Sequence, residues 1–289
     1  MQIIGDPAAF RKACDKARAN GRGVVLVPTM GALHDGHMSL VEAAREHGDW
    51  VTVSIFVNPT QFGPNEDLGR YPHSLEDDCS RCEDAGVAAV FAPDAKAMYP
   101  QGAETRVNVG ATAESLCGAF RPGHFEGVCT VVMKLFALTG SCSAVFGRKD
   151  YQQLRVIERL TADLMLPVKV VGAPIVREPD GLALSSRNRY LSADDRQRAL
   201  AIAQALSVAV HDFENGERDP ATLRNRAHES IAAVADRVDY VTLADTQTIQ
   251  PIDTIADRAL LAVAVHIGST RLIDNVVFGE DPAPIPNHV

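Results

Sequence analysis

Two patterns of apolar and polar positions alternate along the first two thirds of the chain. Short runs in which almost every residue is apolar predict strands that are covered on both faces of a parallel sheet. These runs occupy residues 23–27, 50–57, 88–91, 144–146 and 168–171. Apolar residues at helical spacing predict helices over residues 37–47, 128–138 and 151–164, with two others starting at Pro7 and Ser74. The alternation predicts an α/β fold with a doubly wound parallel sheet, whose ligands bind beyond the carboxyl ends of the strands.

The pattern changes at residues 177–181, a polar and turn-rich stretch that is typical of a hinge. A long helix is predicted to start after Ser192, with Asp195 three residues later as in a capping box. Strand-like runs follow at residues 238–243, 260–266 and 272–277. We therefore expect a larger domain over residues 1–176 and a smaller α+β domain over residues 177–289.

Composition and charge narrow the class of protein. The chain has 289 residues, 46% of them hydrophobic, and a formal net charge of −9. This balance argues against broad binding to nucleic acid or to an anionic membrane, because both require a basic face. No signal-like amino terminus and no long apolar run is present, and the six cysteines lack the density of a disulfide scaffold. We expect a cytoplasmic protein with reduced thiols.

The strongest local motif is His34-x-x-His37, which follows a predicted buried strand and opens a helix. A helix start presents unpaired N–H groups and a positive dipole end, so it attracts phosphate. The two imidazoles there would stabilise charge that develops during attack on the α-phosphorus of a nucleotide. Zinc is the alternative, although metal-binding histidines on a helix are usually four residues apart. Two ordinary polar loop residues are the plain interpretation.

Two later segments carry cations beside predicted turns. Residues 147–150 follow a strand, and Lys149 would reach phosphates from there, with Gln153 one helical turn further on. Asp150 would bind ribose hydroxyls or merely cap the helix. Ser185, Ser186 and Arg187 follow the hinge and would clamp a leaving pyrophosphate, although alone they are typical of a solvated turn.

Three further groups of residues are candidates for binding. Gln61 lies in a loop after the second strand, where amides suit a polar hydroxylated molecule. Asp77 and Asp78 would hold Mg²⁺, but Ser74 and Asp77 also have the spacing of a capping box, which we favour slightly. Cys79 and Cys82 have the spacing of a half-zinc motif without a second pair, and incidental thiols are the better interpretation.

Taken together, the motifs resemble the pantothenate synthetase family in sequence and in order. They are PTMGALHDGH (28–37), SIFVNPTQF (54–62), RPGHF (121–125), KDYQQ (149–153), DGLALSSRN (180–188) and RLIDN (271–275). The resemblance implies a Rossmann-type domain, a carboxyl-terminal lid domain and a homodimer. It also implies the condensation of (R)-pantoate with β-alanine, using ATP and Mg²⁺, through a pantoyl adenylate to give pantothenate, AMP and pyrophosphate.

The resemblance also assigns site residues. The ATP-binding residues would be Met30, Gly31, Ala32, Leu33, His34, Asp35, Gly36, His37, Gly147, Arg148, Lys149, Asp150, Val176, Leu184, Ser185, Ser186 and Arg187. Gln61 and Gln153 would hold pantoate, and Gln61 would help to seat β-alanine. His37 is the family's assigned proton donor, but we expect His34, His37, Lys149 and Arg187 to act chiefly by stabilising the adenylation transition state. Asp77 and Asp78 would lie near the metal.

Two departures and two alternatives remain open. Arg148 and Cys117 each stand where the family usually has Glu. The runner-up enzyme is a nucleotidyltransferase that adenylates a phosphorylated acceptor, although such an acceptor would favour additional Arg or Lys beside Gln61 and Gln153. A module that binds nucleotide or zinc without turnover is the alternative from another class.

Overall fold

A computed structural model of the protein describes residues 1–64, 66–72 and 74–286. The chain forms two compact units. The first contains residues 1–113, 121–148 and 156–174, and the second contains residues 114–120, 149–155 and 175–289. The second unit thus includes two segments that precede the expected hinge. None of the helices in the described part of the chain combines the length and apolar character that crossing a membrane requires.

The first unit is built on a six-stranded parallel sheet with the order β1-β4-β3-β2-β5-β6. The strands are β1 (Gln2–Ile4), β2 (Val24–Thr29), β3 (Trp50–Ile55), β4 (Ala89–Phe91), β5 (Cys142–Gly147) and β6 (Val168–Ala173). The apolar runs place the central strands in the core, where Val25, Leu26, Val27 and Val53 are fully buried. The predicted fold class is confirmed, and the predicted strands are present with small shifts of their ends. β1 has no counterpart among the predicted elements.

Eight helices connect these strands in the described part of the chain. They are α1 (Pro7–Ala19), α2 (Asp35–Ala44), α3 (Leu75–Asp84), α4 (Ala95–Met98), α5 (Ala111–Glu114), α6 (Cys117–Phe120), α7 (His124–Thr139) and α8 (Tyr151–Asp163). The start of α1 follows its sequence, because the carboxylate of Asp6 accepts a hydrogen bond from the Ala9 amide at 2.7 Å. α7 begins four residues before the predicted start at residue 128.

The second unit contains a three-stranded antiparallel sheet with the order β7-β8-β9. Its strands and long helices are β7 (Arg237–Ala244), β8 (Ala259–Ile267), β9 (Thr270–Phe278), α9 (Ala193–Glu214) and α10 (Pro220–Ala232). Ser192 caps α9 as predicted, since its hydroxyl accepts from the Asp195 amide at 3.1 Å. The apolar faces of α9, α10 and the sheet form one core, in which Leu206, Leu223 and Leu261 are fully buried.

Candidate active site

The two histidines of the motif lie where the strand order of the sheet reverses. β2 is paired with β3 on one side and with β5 on the other, so the loop after Thr29 leaves the sheet at its switch point. His34 is the N-cap of α2, and the helix begins at Asp35. Ligands of open α/β sheets bind at such a point, and the helix start adds N–H donors. The structure therefore places the motif as the sequence predicts.

A hydrogen bond from the backbone of His34 determines which nitrogen of the His37 ring carries its proton. The His34 backbone N–H donates to Nδ1 of His37 at 3.3 Å, and the ring centroids are 4.1 Å apart. Because Nδ1 accepts, a neutral His37 ring carries its proton on Nε2. In this geometry His37 presents an N–H donor from Nε2, which is the group that hydrogen-bonds to phosphate oxygens.

Asp78 shapes the loop that precedes the histidines. Its carboxylate is 2% exposed and accepts from the backbone N–H groups of Ala32 at 2.9 Å and Leu33 at 2.7 Å. Gly31 and Ala32 have φ values of +81° and +51°, a left-handed backbone that costs energy at Ala32. The two hydrogen bonds to one carboxylate compensate for that cost and hold the loop in place.

The structure shows the surroundings of Asp77 and Asp78, the two candidate Mg²⁺ ligands, and of Ser74, the expected helix cap. Both carboxylate oxygens of Asp78 are used by the backbone, so its geometry suits loop positioning better than direct Mg²⁺ ligation. Asp77 is exposed on the first turn of α3, and its proximity to a metal stays a prediction. The expected capping box is absent, because the Ser74 hydroxyl donates to Asp78 at 3.3 Å instead of capping the helix.

We expect Asp78→Asn to lower both stability and the rate of adenylation. The amide places an NH₂ group against one of the two backbone donors, and a buried donor without an acceptor costs about 1–3 kcal/mol. The free energy of unfolding should fall by about that amount, as urea denaturation measures. Glu76→Gln, an exposed change in the same helical turn, is the control. Recovery of the Asp78→Asn rate at high Mg²⁺ would show metal ligation instead.

A buried network orients the Gln61 side chain. Asn58 is 1% exposed, and its Nδ2 donates to Oε1 of Gln61 at 3.0 Å and to the Gly127 carbonyl at 3.1 Å. Its Oδ1 accepts from the Tyr99 hydroxyl at 2.8 Å, and burial raises the pKa of that phenol and keeps it protonated. Only the Gln61 NH₂ group is left for a ligand, and it lies 3.2 Å from the weak acceptor Sδ of Met30. A substrate oxygen would be a better partner.

The backbone of Gln61 is held by the side chains of Arg121 and His124, which sequence reasoning had noted only as part of a motif. The Gln61 carbonyl lies 2.9 Å from Nδ1 of His124 and accepts from Arg121 at 3.3 Å. Arg121 also donates twice to Glu66, at 2.6 Å each. Burial raises the pKa of Glu66, but hydrogen bonding and the charge of Arg121 bring it below its ordinary value. The ion pair therefore stays charged near neutral pH, and Glu66 holds the Arg121 side chain that donates to the Gln61 carbonyl.

Gly127 allows α7 to pack closely against the Gln61 turn. A Cβ at this position would lie 2.6 Å from the Gln61 nitrogen and even nearer the Thr60 carbonyl oxygen. Gly127→Ala should therefore displace the turn, and we expect KM for pantoate to rise about tenfold or more, since a shift of about 1 Å suffices. Gly110→Ala, where a Cβ meets nothing within 4 Å, is the control. An unchanged KM in a folded Gly127→Ala protein would refute this role of the contact.

Most of the remaining predicted site residues lie in the second unit, whereas Gly147 and Arg148 belong to the first. Lys149 and Gln153 are half-buried on either side of the start of α8. Val176 and Leu184 are joined by a backbone hydrogen bond of 3.0 Å, which closes a hairpin just before the Ser185 turn. In that turn the Ser185 hydroxyl accepts from the Arg187 amide at 3.3 Å. The local geometry thus prepares a short loop with hydroxyl and guanidinium groups, as the sequence suggests.

Cys79 and Cys82 have environments that favour protonated thiols, because burial raises the pKa of both. Cys79 and Cys82 pack in the core of the first unit, and burial raises the pKa of the Cys82 thiol to about 12. Such a thiol is a poor zinc ligand, because zinc binds the thiolate.

Cys117, which stands where the family usually has Glu, lies in the second unit. Its Sγ is 3.1 Å from the Tyr240 hydroxyl and 3.7 Å from both terminal nitrogens of Arg271. A glutamate there would meet a cation.

The fold and the site together define a Rossmann-type nucleotide-binding enzyme with a histidine pair at the start of α2. A family model described as Pantoate-beta-alanine ligase matches residues 2–277. The chain belongs to the pantoate-beta-alanine ligase family, and its activity is the ATP-dependent ligation of pantoate to β-alanine. This membership supports the ligase over a nucleotidyltransferase with a phosphorylated acceptor.

Individual relatives are similar to this chain over almost its whole length. Pantothenate synthetase 1 of Bradyrhizobium diazoefficiens is 51% identical over 284 residues, which are 98% of this chain and all of that protein. A crystal structure of pantothenate synthetase from Thermus thermophilus has a TM-score of 0.91 at 43% identity and covers 99% of this chain and 100% of its own. The pantoate-beta-alanine ligase of Francisella tularensis, complexed with beta-gamma ATP and beta-alanine, has a TM-score of 0.78 at 33% identity and covers 98% and 99%.

Proposed function

We propose that the chain joins (R)-pantoate to β-alanine in two steps at the residues described above. The observation that carries the proposal is the position of His34 and His37 at the switch point of the sheet, where the His34 N–H donates to Nδ1 of His37 at a helix start of the kind that attracts phosphate. That arrangement suits attack on a nucleotide phosphate and explains why the chain needs no overall positive charge.

In the first step the pantoate carboxylate attacks the α-phosphorus of ATP. A P–O bond to the carboxylate forms, the bond to the β-phosphate oxygen breaks, and pyrophosphate leaves. Negative charge grows on the phosphoryl oxygens and on the leaving group, and donors placed there in advance lower the barrier. We assign this stabilisation to His34, His37, Lys149 and Arg187, with ATP held by the turn at Met30–His37, residues 147–150, Val176 and Leu184–Arg187.

In the second step the amine of β-alanine attacks the activated carbonyl of pantoyl adenylate. The C–N bond forms, the bond from the carbonyl carbon to the AMP oxygen breaks, and the nitrogen releases a proton to solvent. This step depends chiefly on positioning the amine against the carbonyl carbon, because the mixed anhydride is already activated. We assign pantoate recognition to Gln61 and Gln153, and we assign Gln61 to β-alanine as well.

The orientation of Gln61 supports its assignment. Asn58 occupies its carbonyl oxygen, so Gln61 presents an NH₂ donor to a substrate hydroxyl or carboxylate. For Gln153, no hydrogen bond of the side chain to another residue is found within the described ranges, which leaves both ends of its amide for a ligand. An uncharged pair of amides suits a small hydroxy acid better than a phosphorylated acceptor.

The proposal includes ATP as its Mg²⁺ complex, a homodimer and a cytoplasmic location. Mg²⁺ is commonly held by substrate phosphates and a few carboxylates, and it keeps several waters. Since Asp78 is committed to the backbone, only Asp77 of the predicted pair has a free carboxylate for such a role. In the described ranges no group of three or more His, Cys, Asp or Glu side chains has the arrangement of a metal site. Sedimentation at several concentrations tests the dimer.

A substrate-omission assay tests the proposed function. AMP release is measured with ATP, Mg²⁺, pantoate and β-alanine together, and then with each component left out. We expect sustained release only in the complete mixture, and a single turnover or less without β-alanine. Sustained AMP release without pantoate, or none in the complete mixture, would contradict the proposed reaction.

A further inference from the structure

A polar pair interrupts the apolar strand β9 in the second unit. Asp274 is 4% exposed and Asn275 is 3% exposed, while their neighbours Leu272, Val276 and Val277 are buried apolar residues. Buried polar groups usually stabilise a fold less than apolar residues of the same size. A buried polar pair in an apolar strand therefore points to a role in positioning other groups. The partners of the pair are therefore informative.

Asp274 holds the hairpin that leads to the Ser185 turn. Its carboxylate accepts from Arg177 at 2.6 Å and 3.0 Å, a bidentate pair with both side chains largely buried. Arg177 also donates to the Gly181 carbonyl at 3.0 Å, across the tip of the same hairpin. The tip is tightly packed, because a Cβ on Gly181 would lie 2.6 Å from Cγ1 of Ile285. The position of the hairpin is thus set by β9.

Asn275 holds the turn that carries Lys149. Its side-chain Nδ2 donates to the Lys149 carbonyl oxygen at 2.9 Å, across 126 positions of sequence. This bond fixes the plane of the peptide that follows Lys149, and with it the direction in which the Lys149 side chain leaves the backbone. The Asn275 carbonyl in turn accepts from Arg177 at 3.3 Å, and its N–H donates to Asp274 at 2.8 Å.

Asp274 and Asn275 therefore contact the hairpin and the Lys149 turn, respectively, and Arg177 hydrogen-bonds to both residues. We propose that Asp274 and Asn275 are positioning residues for adenylation, which set the Lys149 turn and the residue 176–184 hairpin in register. This inference rests on the proposed function, because it assigns Lys149 and Ser185–Arg187 to the phosphates. Charge stabilisation depends steeply on distance, so a loop that shifts by about 1 Å loses much of its effect.

The test is a double-mutant cycle between Asn275 and Lys149. We expect Asn275→Ala to slow single-turnover formation of pantoyl adenylate by about tenfold in a protein that stays folded. In a Lys149→Ala background the same change should cause almost no further loss, because its effect passes through Lys149. A purely structural residue would reduce the rate by the same factor in both backgrounds.

Two variants separate positioning from packing. Asn275→Leu fills a similar volume without a donor, and it should reproduce the slow adenylation of Asn275→Ala. Thr161→Val removes a buried hydrogen bond of the first unit, to the Ile157 carbonyl, and should leave adenylation unchanged. Normal adenylation by a folded Asn275→Leu protein, or equal losses in both backgrounds, would overturn the inference.

The cycle also distinguishes this inference from the proposed function. If Lys149→Ala itself forms pantoyl adenylate at a normal rate, the proposed site is wrong and the inference fails with it. If Lys149→Ala is slow while both Asn275 variants are normal, the proposed site stands and the positioning role alone is refuted.

Discussion

Replacing His37 with alanine should reduce the rate of pantoyl-adenylate formation by at least about 10²-fold, as the loss of one transition-state donor typically does. The structure sharpens the reason, because the His34 N–H bond to Nδ1 makes the neutral ring an Nε2–H donor. Single-turnover measurement with ATP and pantoate, in the absence of β-alanine, isolates this step.

A matched histidine variant shows whether the loss is specific. His47 is half-buried just after the end of α2, and His47→Ala should leave the rate unchanged. If His37→Ala forms the adenylate at a near-normal rate, the histidine turn does not perform the chemistry. His37→Gln offers a second check, since a side-chain amide restores a donor and should recover part of the rate.

Replacing Lys149 with alanine should also reduce adenylation by at least about 10²-fold while the protein stays folded. A lysine ammonium neutralises the charge that develops on the phosphates, and its backbone is fixed by Asn275. We expect kcat and kcat/KM for ATP to fall together, because the interaction strengthens in the transition state.

The changes in kcat and in KM for ATP show whether Lys149 acts in the transition state or only in ATP binding. Lys169→Ala, which removes an exposed lysine from β6, is the control and should change neither constant. A Lys149→Ala protein with a raised KM for ATP and a normal kcat would contradict the assignment. In that case Lys149 would bind ATP equally in the ground state and the transition state.

The sheet and the order of its elements were predictable because their signals are local. Runs such as residues 23–27 are apolar at every position, and helical spacing between them requires only a few residues to detect. β1 was missed for a physical reason: three residues carry no period, and Gln2–Ile4 becomes a strand only by pairing with Ala89–Phe91. α10 was likewise not predicted, although Asp219 and Pro220 form an N-cap and first helical position.

The residues proposed to contact the phosphates stand out in the sequence, whereas the residues that hold them in place do not. His34, His37, Lys149 and Arg187 belong to short motifs beside strand ends and turns. Their supports are distant in sequence: Asp78 reaches Ala32 across 46 positions, and Asn58 reaches Gly127 across 69. Asp78 was predicted near a metal because two adjacent carboxylates indicate Mg²⁺, and only the folded chain reveals the backbone N–H groups from which its oxygens accept.

The most direct test of the central claim is isotope exchange between pyrophosphate and ATP. If the chain activates pantoate as an adenylate, labelled pyrophosphate should enter ATP when pantoate and Mg²⁺ are present and β-alanine is absent. No label should enter ATP without pantoate. Exchange that is absent with pantoate, or that appears only with a phosphorylated acceptor, would contradict the account.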